Sequence, residues 1–279
     1  MSRELRLRII SGIILAVIVL AATWYGGSAF RLLAAVIGLL VYYEWSTISD
    51  LHGRDPQGNA LGWLGLVLIA GATALSESVY SIEVLLAFVA VTAIMVAARG
   101  KSWWLPGGIF YSGLTAIALA EIRDDDFRGF VLMLFVLATV WATDIFAYFV
   151  GRAIGGPKLA PRISPGKTWS GAIGGAIAAV IAGTAVVWSF FSADNLRIPV
   201  LALVLSVCSQ IGDLFESFIK RKFGVKDSSH LIPGHGGVMD RVDGLIFACF
   251  AAFLLAIVIS LTMSGETFSL GGVLLGVGY

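Results

Sequence analysis

Nine stretches of the chain are apolar enough, and nearly all long enough, to cross a lipid bilayer, which limits the architecture before any motif is read. They run over 9–25, 29–48, 61–75, 82–98, 103–120, 129–150, 171–191, 198–218 and 242–263, with 61–75 the shortest. A membrane helix needs about 20 mostly apolar residues to cover a hydrocarbon core about 30 Å thick. Open sheets cannot substitute, because unpaired backbone groups are costly where no water can reach them. The expected fold is therefore all-α, a polytopic transmembrane helical protein with about nine membrane helices. Composition agrees: 13% of the 279 residues are charged, about half the share of an average soluble domain.

Basic residues set the orientation, since cytoplasmic loops carry the excess of Lys and Arg. With the N-terminus in the cytoplasm and the segments alternating, 15 of the 19 Lys and Arg residues fall inside, leaving Arg31, Arg123, Arg128 and Arg197 outside. The RELRLR start followed by an apolar run has the form of a secretory signal, but eight further segments make an uncleaved first helix the better reading. The net charge of +1 says nothing about a nucleic-acid partner, but there is no long basic run, and no such partner is expected. Cys208 and Cys249 lie in apolar stretches without metal-ligand spacing and read as reduced structural thiols.

Ionisable residues in membrane segments are costly and mark candidate functional sites. Glu44 and Asp144 lie towards the cytoplasmic ends of their segments. Asp213 and Glu216 are three residues apart near the end of another, and Asp240 and Asp243 have the same spacing where the last begins. Residues three apart share a helix face. Six carboxylates at one depth need counter-charges, either basic side chains or divalent cations, and oxygen-only ligands suit hard ions such as Mg²⁺. Taken singly, Glu44 and Asp144 read equally well as caps or as partners of loop arginines.

Two loops, 151–170 and 219–241, are long, basic and rich in Gly and Pro. Loops of this kind usually carry function. GKT at 166–168 invites a phosphate-loop reading, but the pattern needs glycine where Pro161 stands and a preceding strand rather than a membrane segment. What survives is Ser164, Lys167 and Thr168 ahead of a helix N-terminus that can hold an anion, or simply topology anchoring with Thr168 or Ser170 as the cap. The second loop brings Lys220, Arg221, Lys226 and Arg241 towards the aspartates, with His235 and with glycines at 234, 236 and 237 that allow close backbone approach. Fixed cations beside carboxylates suited to Mg²⁺ are the equipment of phosphoryl or nucleotidyl transfer.

Residues 217–243 have the form S-x-I-K-R-x4-K-D-x-S-x2-I-P-x-H-G-G-V-x-D-R-V-D. This resembles the signature of the phosphatidate cytidylyltransferases, or CDP-diacylglycerol synthases. TDIFAYFVGRAIGGPKLAPRISPGKTWSG and SQIGDLFES are also similar to family segments, so the resemblance spans roughly 142–243. It implies an integral enzyme of the bacterial inner (cytoplasmic) membrane that converts CTP and the membrane lipid phosphatidate to CDP-diacylglycerol and pyrophosphate. It also implies N-terminal membrane helices over 1–128, with the site built from helices and loops of 129–279.

The resemblance makes Asp213, Asp240 and Asp243 the carboxylates for Mg²⁺, leaves a second cation open, and adds Asp144 and Lys167 to the catalytic set. Substrate contacts would come from Ser164, Thr168, Lys220, Arg221, Lys226, His235, Gly236, Gly237 and Arg241, and a homodimer is the implied assembly. One departure stands out: family members often read S-P-K-K-T-x-E-G where this chain has Ser170 in place of the glutamate. Two other readings stay open. A CTP-dependent polyprenol or dolichol kinase would transfer the γ-phosphate. An ion-coupled transporter would place its acids near the bilayer midplane.

Overall fold

Wherever the apolar runs occur, the backbone closes its hydrogen bonds within a helix. A computed structural model describes residues 3–75, 78–191, 196–262 and 269–276. Its elements in order are α1 (Arg3–Tyr25), α2 (Gly27–Ile48), a single turn α3 (Leu51–Arg54), α4 (Pro56–Ala74), α5 (Ser78–Arg99), α6 (Trp104–Arg123) and α7 (Phe127–Ile154). They continue with β1 (Lys158–Ala160), β2 (Ser164–Thr168), α8 (Trp169–Phe190), α9 (Arg197–Lys222), α10 (Met239–Thr262) and the short α11 (Leu270–Leu275). Among the described residues, eight helices have the length and mean hydropathy to cross a membrane. The remaining long helix, α4, matches the shortest expected segment; it is capped by Asp55, with Pro56 in its first turn. Met263, the expected end of the last segment, lies outside the described residues.

Several helices begin earlier than expected, and the departures that bear on the site lie around the two basic loops. Residues 151–170 are not a plain loop: α7 runs on to Ile154, and β1 and β2 pair antiparallel, with Lys158 opposite Thr168 and Ala160 opposite Ser164. Pro157, Pro161 and Pro165 exclude a helix here. Helix α9 continues four residues beyond the expected end at 218, so Lys220 and Arg221 are helical rather than in a loop. An ion pair from Glu216 to Lys220, 2.6 Å long and four residues apart, supports that last turn. Helix α10 begins at Met239, three residues earlier than expected.

The chain forms two compact units. The first comprises Met1–Ala120 and Lys222–Arg241. Its buried side chains are mainly aliphatic, with a set of aromatic contacts among them. The Trp45 indole donates to the Trp104 carbonyl at 2.8 Å, and Tyr42 packs edge-on to Trp63 at 5.1 Å. Phe223 lies edge-on to Trp104 at 4.9 Å, which fixes the start of the segment 223–238.

The second unit comprises Glu121–Arg221 and Val242–Tyr279. Lipid tails are as apolar as leucine, so helices here associate through close packing and polar contacts. Gly171, Gly175, Ala179 and Gly183 recur every four residues and form a buried stripe on α8. A Cβ on Gly175 would stand 2.7 Å from the Thr143 carbonyl oxygen and 3.1 Å from the Ala147 Cβ, so α7 and α8 meet nearly backbone to backbone. Thr143 and Ser206 share a hydrogen bond of 2.7 Å between α7 and α9. Gly175→Leu is expected to destabilise the protein by about 1–3 kcal/mol through overpacking, seen as a lower Tm in detergent. Gly71→Ala, in α4 with nothing within 4 Å of the added methyl, should leave Tm unchanged or raise it.

Candidate active site

In the first unit, the segment 223–238 is organised by two buried carboxylates. Glu44, on α2, has no solvent exposure. Its Oε1 accepts from the Ser229 hydroxyl at 2.6 Å and the Val238 amide at 2.7 Å, and its Oε2 accepts from the Met239 amide at 2.6 Å. The Val238 and Met239 amides open α10, so a helix distant in sequence caps that terminus. Asp240 clasps the same segment: its Oδ2 accepts from the amides of Ser228 and Gly237, each at 2.8 Å. The single Ser228 hydroxyl proton lies between both acids, 2.9 Å from Glu44 Oε2 and 2.8 Å from Asp240 Oδ2. Gly237 is confined by this arrangement, since a Cβ there would collide with the Ser228 hydroxyl and the Glu44 carboxylate.

The stretch from Ile232 to Gly236 is a tight turn, closed by Ile232 N–H to the Gly236 carbonyl at 2.8 Å and His235 N–H to the Ile232 carbonyl at 2.9 Å. Gly234 and Gly236 have φ of +78° and +86°, a region where glycine is favoured. His235 Nδ1 lies 2.7 Å from the Ser11 hydroxyl of α1. Burial holds the imidazole below its usual pKa, and the positive charges of Arg241 and Arg8 add to that shift. The ring is therefore neutral at neutral pH, with one nitrogen a donor and the other an acceptor.

In the second unit, β2 delivers Lys167 to α9, where its ammonium pairs with Asp213 Oδ2 at 2.5 Å. Both side chains are about one-third exposed or less, at 27% and 33%, so the pair meets solvent on one side. Asp243, half-buried on α10, lies within electrostatic reach of Asp213, Asp144 and Lys220. Its Oδ1 accepts from the Gly244 amide at 2.8 Å. Asp144 is exposed on α7.

The neighbouring hydroxyls have local duties. Thr168 caps α8 by accepting from the Gly171 amide at 3.2 Å. The Ser170 hydroxyl donates to the Gly155 carbonyl, closing the hairpin in a way a carboxylate could not. Ser164 pairs through its backbone with Ala160, and Arg221 is exposed at the end of α9.

Among the described residues, no three His, Cys, Asp or Glu side chains converge into a ready-made metal cage. The donors present are nevertheless hard oxygens, and Mg²⁺ typically uses one or two carboxylates and takes its remaining ligands from phosphates and water. Asp213 and Asp243 fit that pattern.

Residues 6–259 match the cytidylyltransferase family. The chain belongs to that family. It is 46% identical over 252 residues to the phosphatidate cytidylyltransferase of Brucella abortus biovar 1 (strain 9-941), covering 90% of this chain and 93% of the relative. The phosphatidate cytidylyltransferase of Bacillus subtilis (strain 168) is 31% identical over 270 residues, covering 91% and 98%. That of Haemophilus influenzae (strain ATCC 51907 / DSM 11121 / KW20 / Rd) is 37% identical over 214 residues, covering 74% and 70%.

Within this cytidylyltransferase, the structure joins Lys167 to Asp213 and brings Asp144 and Lys220 within electrostatic reach of Asp243. Separately, it gathers Lys226, His235, Gly236 and Arg241 around one cavity. Gly237 and Asp240 are tied to each other. The sequence offers Glu44 as one of six acids or as a cap, and it is a cap here, though of a helix far along the chain; it does not single out Ser228, Arg8 or Ser11. An acid inside an apolar helix, paired with the SS of KDSSH, was the available signal.

Two outcomes follow. Glu44→Gln keeps the shape but sets an amide against backbone donors, and should cost about 2 kcal/mol or more, with faster hydrogen exchange over 228–239. The depressed His235 pKa means the unfolded chain binds the extra proton more readily as pH falls below about 6.5. The stability advantage of wild type over His235→Gln should therefore shrink on acidification through that range, as measured by Tm against pH.

Proposed function

We propose that the chain is a phosphatidate cytidylyltransferase acting at the cytoplasmic face of a bacterial inner membrane, converting CTP and phosphatidate to CDP-diacylglycerol and pyrophosphate. The observation that carries this reading is the Lys167–Asp213 pair, with Asp243 nearby in the same unit, in a chain that matches the cytidylyltransferase family from residue 6 to residue 259. The names of relatives covered nearly end to end supply the substrates. The bias of 15 of 19 basic residues towards one side supports a cytoplasmic N-terminus and a cytoplasmic site.

In the reaction, a phosphate oxygen of phosphatidate attacks the α-phosphorus of CTP. The new P–O bond forms as the bond from that phosphorus to the bridging oxygen breaks, and pyrophosphate leaves with the electron pair. The nucleophile is already anionic, so no general base is needed. Mg²⁺, when bound by Asp213 and Asp243, would supply charge stabilisation at the triphosphate oxygens.

Lys167, held in place by Asp213, is a fixed cation for a phosphate oxygen. Lys220, steadied by Glu216, supplies a second, and Arg221 extends the positive charge at the end of α9. Ser164 and Thr168 flank Lys167 on β2, and the cap made by Thr168 fixes where that strand gives way to α8. Asp144 places a further negative charge within electrostatic reach of Asp243. Asp240 acts chiefly by holding the segment that bears Lys226, His235, Gly236 and Arg241.

CTP labelled at either its α- or its γ-phosphorus tests the reading. Label should enter lipid from the α position and only when phosphatidate is supplied; transfer of γ label instead would identify a lipid kinase. Asp213→Ala and Asp243→Ala should each lower turnover by at least about 100-fold, on the scale of a lost charge-stabilising group, while the protein still inserts. Chelation of divalent cations should have the same effect, and added Mg²⁺ should reverse it.

A further inference from the structure

By sequence the first helix is an uncleaved membrane span, and the structure also gives it a place at a polar cavity. A cavity of about 750 Å³ lies between α1 and the turn Ile232–Gly236, lined among others by Arg8, Lys226, Asp227, His230, His235 and Arg241. Its size is that of a small-molecule site, for which about 300–1,000 Å³ is usual. Three permanent cations face one carboxylate, so the lining is net positive before either histidine is counted. Arg8 comes from α1 and the rest from the segment that carries the family signature.

The helix is fastened there through polar contacts. The Ser11 hydroxyl lies 2.7 Å from His235 Nδ1 and 3.1 Å from the Pro233 carbonyl oxygen. The backbone of α1 also passes close to the turn, as a Cβ on Gly234 would stand 3.2 Å from the Arg8 amide nitrogen. On either side of Arg8, α1 presents exposed Leu5, Leu7, Ile9 and Ile10. The same helix thus offers apolar side chains to lipid and a guanidinium to the cavity, an arrangement suited to an anion at the membrane boundary.

We propose that Arg8, with Lys226 and Arg241, forms a substrate subsite for a phosphate-bearing anion, and that the Ser11–His235 contact holds α1 in place to complete it. The inference rests on the cytidylyltransferase reading for the identity of its ligand. The shared chemistry is a phosphate group, carried either by the lipid phosphomonoester or by the nucleotide triphosphate. A guanidinium can meet two phosphate oxygens at once, whereas an ammonium acts as a point charge. Neutral His235 accommodates the concentration of positive charge without adding to it.

The test uses the full-length protein in detergent micelles. KM is measured for phosphatidate at saturating CTP and for CTP at saturating phosphatidate, in wild type, Arg8→Gln, Arg8→Lys and Lys226→Gln. Equilibrium binding of radiolabelled pyrophosphate and of a short-chain phosphatidate is measured on the same proteins. Arg8→Gln should raise one KM by about 10-fold or more, the scale of a lost charged hydrogen bond, with kcat changing less, and Arg8→Lys should recover only part.

A shift confined to phosphatidate assigns the lipid phosphate to the subsite; one confined to CTP assigns the triphosphate. If Arg8→Gln does not fold, Lys226→Gln, altered at an exposed loop position, should give the same selective shift. Unchanged KM and unchanged anion binding across the variants of an active enzyme overturn the subsite and leave the proposed function standing. An inactive wild type that still loses pyrophosphate or phosphatidate binding on Arg8→Gln sinks the cytidylyltransferase reading and keeps the anion site.

Discussion

A carboxylate removed from water needs donors around it, and the buried Glu44 finds them in a segment 184 or more residues further along the chain. Each polar group buried without a partner costs about 1–3 kcal/mol, so neither side of this arrangement can be given up alone. The acid requires the amides of Val238 and Met239, and those amides, the first of a helix, require an acceptor. The starting point of α10 is thereby fixed from outside that helix. Ser228, placed between Glu44 and Asp240, extends the constraint to the other end of the turn. A segment rich in glycine has much conformational freedom to lose on folding. Here it is tied down by two acids at its base.

The helices themselves obey a different rule. In lipid, an apolar side chain gains little by turning inward, so packing is decided by where backbones can come close and where polar groups can meet. The α8 stripe of Gly171, Gly175, Ala179 and Gly183 supplies the first condition, and Thr143 with Ser206 the second. The Gln210 amide donating to the Ala172 carbonyl at 3.3 Å adds a further polar link, between α9 and α8. Exposed Ile173, Ile177 and Ile181 on the other face of α8 leave that side to lipid. The same division recurs on α1, whose outward leucines and isoleucines alternate with the polar contacts of Arg8 and Ser11.

Hydropathy made the helices legible to within a few residues, because a 20-residue apolar run has few alternatives in a membrane. The signature residues were legible as well, since their types and spacing are a linear pattern. What the linear pattern hid was pairing. Nothing local to Glu44 says that its partners are Ser228, Ser229 and two amides near residue 238, and nothing local to Arg8 separates a topology-setting arginine from one that lines a cavity. The end of α9 was misplaced because Lys220 and Arg221 look like loop residues by hydropathy. An ion pair to the buried Glu216 carries the helix through them instead. The hairpin at 158–168 was missed for the opposite reason, since its prolines announced a break but not that the chain on either side of Pro161 would pair.

The pairing of Lys167 with Asp213 bears on how the proposed site would take up nucleotide and metal. An acid in a partly desolvated setting is raised in energy unless a counter-charge is held close. At 2.5 Å, Lys167 meets that need for Asp213, and its position on a short hairpin limits how far the ammonium can move. A triphosphate, the substrate under the proposed function, would bring several negative charges and compete for the same ammonium. If Lys167 turned towards phosphate, Asp213 would lose that partner and stand open to a divalent ion accompanying the nucleotide. Among the described residues no three such ligands converge, and Mg²⁺ typically takes only one or two carboxylates beside substrate phosphates, so an exchange of partners at Asp213 fits the proposed reading. On the proposed function, the ammonium that pairs with Asp213 here would hold phosphate in the loaded enzyme, and nucleotide and metal would then reinforce each other's binding.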